Sequence, residues 1–98
     1  MDETPTRPSI EFDDATLAGL QLRLRRIEGQ VRGIQQMLID GRECRDLVTQ
    51  IAAANKALEQ VGFHLVSAGL TWCLEHPDQS AAAGYNLADV QRMFLKLA

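Results

Sequence analysis

Two cysteines, Cys44 and Cys73, and six arginines between Arg23 and Arg45 are the residues of this 98-residue chain whose type and placement could do chemistry. A thiolate is both a nucleophile and a soft metal ligand. In a reducing compartment, paired cysteines more often bind metal, do redox chemistry or fill a core than form a structural disulfide. The plain alternative is that both are small buried hydrophobes. The arginines are one-sided. Residues 1–14 carry a balance of −4, residues 15–45 one of +3 and the remainder −2, so the net charge of −3 hides a basic stripe. Guanidinium forks match phosphate oxygens, and a stripe of them on an acidic chain can bind nucleic acid locally. The competing reading is a solvated helix face with Glu28 paired along its own helix.

Helices must position both sets. The hydrophobic fraction of 46% is ordinary for a globular protein, while the aromatic fraction of 5% is low, and abundant Leu, Ala, Gln and Arg favour helix over sheet. Residues 1–12 hold two prolines and little periodic apolar content, which reads as a disordered N-terminal tail. Residues 13–98 read as a single all-helical domain. Asp13 or Asp14 can cap a first helix near Ala15. Leu20, Leu24, Ile27, Val31, Ile34 and Leu38 then recur at spacings of 4, 3, 4, 3 and 4, a heptad stripe, and Asp40-Gly41 ends it with Gly41 suited to a left-handed cap.

A second helix from Arg42–Cys44 to His76 keeps Leu47, Ile51, Ala54, Leu58, Val61, Leu65, Ala68 and Trp72 on an inward apolar face. Pro77 stops it, residues 77–86 read as a loop, and Asn86 caps a short third helix with Leu87, Val90, Phe94 and Leu97 facing in. No apolar run reaches the ~20 residues of a membrane span, and the acidic N-terminus is unlike a signal peptide. The expectation is a cytoplasmic protein without a membrane partner.

A second helix of that length spans ~50 Å, longer than a compact 98-residue globule with a radius of gyration of ~13 Å can cover. Self-association follows. Unbroken through Gly62 and Gly69, the helix sets Cys44 and Cys73 ~43 Å apart in one chain. In an antiparallel dimer, Cys44 of one subunit can approach Cys73 of the other, twice, about a two-fold axis. Cys44 sits in the first turn, where free N–H groups, the helix dipole, Arg42 and Arg45 stabilise a thiolate. It is the expected attacking thiol, with Cys73 resolving.

The segment Leu22–Leu74, with its Arg26-Ile-Glu-Gly-Gln-Val-Arg-Gly-Ile34 core followed by GRECRDLVTQIAA, resembles the copper-sensitive operon repressor (CsoR) family. The resemblance implies a DNA-binding transcriptional repressor, not an enzyme, built as a disc-shaped homotetramer of two antiparallel dimers. Such proteins bind operator double-stranded DNA without a helix-turn-helix and release it when an inducer fills the inter-subunit site. It places Arg23, Arg25, Arg26 and Arg32 on the DNA-facing side. Gln60 stands where a basic residue is common, and Lys56, one turn earlier, is the expected substitute.

Copper sensors of this family carry Cys at position 44 and a His and a Cys four residues apart on the partner helix. Cys73 matches the second Cys, but position 69 is Gly69. The histidines of nickel and cobalt sensors are also missing, while formaldehyde sensors lack the second Cys. His64, nine positions before Cys73 and ~13 Å along the axis, reads as a surface or packing residue. His76 is the one histidine able to approach a metal at Cys73. A cysteine pair without histidine is similar to the sulfurtransferase-operon repressor (CstR) subfamily, which senses reactive sulfur species. That resemblance implies a persulfide or polysulfide inducer, no cofactor, and a Cys44–Cys73 di- or polysulfide between subunits. The alternative with the same fold is a Cu(I) sensor using Cys44, Cys73 and possibly His76. A thiol redox enzyme is the alternative of another class; against it stand the lack of C-x-x-C and of a base beside either thiol.

Overall fold

Asp13 begins the first helix: its carboxylate accepts the Thr16 N–H at 2.7 Å, so α1 spans Asp14–Ile39. The hydrogen bonds from Thr16, through its side chain and its backbone, hold the Asp13 carboxyl below its ordinary pKa. The computed structural model describes residues 10–97; residues 1–9 of the tail expected at 1–12 lie outside them. Residues 10–12 are non-helical, and Ile10 is half-buried.

Gly41 ends α1 as its sequence position implies. Its φ of +70° lets its own N–H reach Leu38 O at 3.2 Å and the Arg42 N–H reach Met37 O at 3.0 Å, satisfying two orphan carbonyls. Nothing lies within 4 Å of a Cβ placed there, so the demand is on the backbone alone. Gly41→Ala is expected to destabilise the chain by roughly 1–2 kcal/mol. An unchanged thermal midpoint would refute that assignment.

The chain reverses over residues 40–43 into α2 (Cys44–Glu75), 32 residues long and unbroken at Gly62 and Gly69. At the standard rise it extends ~48 Å, and the molecule's longest dimension is 54 Å. α1 and α2 form an antiparallel hairpin around Leu20, Ile27 and Val61, with Ala57 against them. Ala54 and Val66 are buried beside this cluster.

The stretch 77–86 is a loop only over its last four residues, 83–86. Pro77–Ala82 forms a one-and-a-half-turn helix, α3, because a proline that ends one helix is also pre-set for the first position of the next. Gly84, at φ +84°, closes it by the same left-handed device as Gly41, with Tyr85 N–H on Ser80 O. Buried Ser80 donates its hydroxyl to Tyr85 O at 2.9 Å. Asn86 and Asp89 then form a reciprocal capping box for α4 (Leu87–Leu95). α4 folds back on the second half of α2: Val90 is almost fully buried, Phe63 and Phe94 pair at 5.1 Å, and Leu97 lies over Gly62. A Cβ at Gly62 would come within 2.7 Å of that leucine. The described residues therefore contain four helices rather than three, and no strand.

The apolar stripes are covered only in part within one chain. Of the α1 heptad only Leu20 and Ile27 are buried; Leu24, Val31 and Leu38 are 41%, 46% and 64% exposed. Ile51, Leu58 and Leu65 of α2 are exposed as well. A two-helix contact covers one side of each helix, and the stripe is wider than that side. The radius of gyration is 17.3 Å against ~13 Å for a compact chain of this length. Among the described residues, no helix is long and apolar enough to cross a membrane.

Candidate functional site

Cys44 is the first residue of α2 and is exposed, while Cys73 stands in its last turn and is half-buried; both are free thiols. The unbroken helix separates them by ~43 Å, so one chain cannot bring them together. Around Cys44 the neighbours have other engagements. Glu43 caps α2 by accepting the Arg45 N–H at 2.8 Å, and Arg42 faces Asp46 at 3.8 Å. A carboxylate thus already meets the positive end of this helix.

Around Cys73 the histidine question has a geometric answer. His76 stacks on Trp72, centroids 5.4 Å apart, and its Nδ1 lies 3.1 Å from Trp72 O. Donation to that carbonyl puts the proton on Nδ1 and leaves Nε2 free. Its ring follows the Trp72 side of the helix, lining a cleft with Glu11, Phe12, Asp13, Thr16 and Glu75, and not the Cys73 side. Gly69, on the Cys73 face one turn earlier, is buried, and a Cβ there would lie 3.3 Å from Ile10 Cδ1. No group of three His, Cys, Asp or Glu side chains able to hold a metal exists among the described residues. Within one chain, the Cys73 face of α2 thus offers a single sulfur, a soft donor, with the His76 ring on the Trp72 side.

The arginine stripe is solvent-facing. Arg23, Arg25, Arg26, Arg32 and Lys56 are all exposed, and among the described residues none makes an ion pair within 4 Å. Glu28 does not neutralise its helical neighbours as the solvated-face reading requires. Arg23 and Arg26 edge a cleft of about 320 Å³ between the helices, closed by Gln30, Ala57 and Gln60. Lys56 is not part of it. Arg23 also borders a second cleft with Thr16, His64 and Ser67. Gln30, His64 and Ser67 are thus neighbours of the basic stripe that the sequence reading missed, because only the register of the hairpin reveals them.

Comparison with known proteins agrees with this architecture. The family model described as metal-sensitive transcriptional repressor matches residues 18–96. The chain is 46% identical over 52 residues to the copper-sensing transcriptional repressor RicR of Mycobacterium tuberculosis, covering 53% of this chain and 54% of that protein. It is 36% identical over 74 residues to the copper-sensing transcriptional repressor CsoR of Bacillus subtilis, covering 76% of this chain and 73% of that one. The chain thus spans about half the length of the first relative and nearly three quarters of the second. The crystal structure of the copper-sensing repressor CsoR with Cu(I) from Geobacillus thermodenitrificans superposes with a TM-score of 0.76 at 30% identity, over 95% of this chain and 97% of that one. With a family model matched across four-fifths of its length and the same helical fold, this chain belongs to the metal-sensitive transcriptional repressors, a family of regulators and not of enzymes.

Proposed function

We propose that the chain represses transcription as a homotetramer of antiparallel dimers and leaves its operator when a sulfur-seeking effector bridges Cys44 and Cys73 of paired subunits. Cu(I) is the leading effector. The observation that carries the reading is the unbroken 32-residue α2, which sets the two thiols at opposite ends of one rod. An antiparallel partner is the simplest arrangement that unites them. The exposed apolar stripe supplies a surface for that partner, including a groove of about 320 Å³ lined by Val31, Ile34, Ile51 and Leu58. Copper leads because the relatives are named copper-sensing, which favours it over the sulfur chemistry drawn from the subfamily resemblance. Cys44 and the partner subunit's Cys73 would hold Cu(I), a soft ion whose affinity for thiolates would link the two subunits.

Reactive sulfur is the second reading, and Gly69 with His76 turned to Trp72 favours it, since that chemistry needs no imidazole. The Cys44 thiolate would attack a polysulfide, take one sulfur as a persulfide and release the shortened polysulfide. Cys73 of the partner would then attack the inner sulfur, form the disulfide and expel hydrosulfide. Arg23, Arg25, Arg26 and Arg32 would meet DNA phosphates.

The test is a gel shift on a duplex selected by this protein from a random double-stranded pool. Release by one equivalent of Cu(I) per thiol pair, and not by inorganic polysulfide, is the expected outcome. Release by polysulfide alone, with a crosslinked dimer in the intact-mass spectrum, transfers the assignment to reactive sulfur. Retention of DNA under both refutes a thiol-gated repressor.

A further inference from the structure

Gly69 and Cys73 are four residues apart and share one face of α2. On that face, Ile10 enters the notch left by the missing side chain: its Cδ1 and Cγ2 stand 3.3 and 3.9 Å from where a Cβ at Gly69 would be. The first distance is tighter than ordinary van der Waals contact, so a side chain at 69 and Ile10 compete for one space. Gly69 is buried as a result. Next to it, Phe12 and Asp13 continue along Ala68 and Trp72 into the cap of α1, which anchors the segment. An apolar group brings no lone pair and excludes water that could.

We propose that Ile10 is a specificity-determining residue of the effector site: seated at Gly69, it denies the Cys73 end any third donor, restricting the site to effectors satisfied by two sulfurs. This rests on the two-thiol site proposed above. Ions that require nitrogen or oxygen donors as well are refused by the fold and not only by the lack of a histidine.

Four full-length proteins test it: wild type, Gly69→His, Ile10→Ala and the Ile10→Ala/Gly69→His double variant. Thermal unfolding at one fixed protein concentration reads the contact without metal. Gly69→His is expected to lower the midpoint in the wild-type background and to do so much less with Ala at position 10; equal shifts in both backgrounds overturn the proposal. X-ray absorption after loading with one equivalent of Cu(I) reads the donor set. Sulfur-only coordination is expected in wild type, Ile10→Ala and Gly69→His, with a nitrogen donor gained in the double variant. A nitrogen donor gained equally by Gly69→His alone shows that Ile10 guards nothing. Should no protein take up Cu(I) while the unfolding shifts still couple, the copper reading falls and Ile10 is reduced to a packing residue.

Discussion

Cys73→Ser is expected to leave DNA binding intact and to abolish its release by the effector. Ser preserves the volume and the helix, but its hydroxyl is a hard, protonated group that neither binds Cu(I) nor exchanges with sulfur. Coupling between two sites in one protein commonly changes affinity by roughly 5- to 150-fold, so the wild type should weaken by that factor on adding effector and the variant by almost none. Cys44→Ser should behave identically. A mixture of the two variants is the sharper measurement. A mixed antiparallel dimer places the Cys73 of one chain against the Cys44 of the other, rebuilding one of its two sites. Partial recovery of release in the mixture is therefore expected, although each variant alone is unresponsive. A mixture as silent as its parts would refute the inter-subunit site.

Replacing Arg23 with Ala should weaken DNA binding by orders of magnitude while leaving the response to effector intact in proportion. Arg23 is exposed, unpaired among the described residues, and borders two clefts of the hairpin. Each phosphate contact contributes about 0.9 to the slope of log affinity against log salt concentration. A homotetramer repeats the residue four times, so losing it should flatten that slope by about 2–4, according to how many copies face one duplex. Arg26→Ala should add to the effect because it faces the same cleft. The measurement is a salt series on variant and wild type. Parallel lines would remove Arg23 from the DNA face.

Most of the helical scaffold was legible in the residues. The α1 stripe, the Asp13 cap, the Gly41 reversal and the Asn86 cap depend on local chemistry, and local chemistry is what a sequence displays. Pro77 ends α2 as its type implies, but α3 was not legible, because a proline looks the same whether it ends one helix or starts another and this one does both. How little of the Leu24, Val31 and Leu38 stripe one chain covers was not legible for a different reason. Periodicity states that a face is apolar, but it does not say whether the cover comes from the same chain. The thiols and arginines were found by type. Their neighbours were not: Gln60 beside Arg26 follows from the hairpin register, and Ile10 on Gly69 joins an aperiodic segment to a helical residue 59 positions away. No short-range pattern encodes such a contact.

The uncovered stripe on α1 and α2 has a consequence for dosage. In the proposed homotetramer, leucines exposed in a single chain gain their shelter from another copy, so folding and assembly draw on one mass-action balance. Dilution should lower the melting temperature as well as the oligomeric state. In a cell, a shortage of chains would then deplete competent repressor faster than in proportion to their number, and control of the operator would switch on over a narrow range of protein concentration.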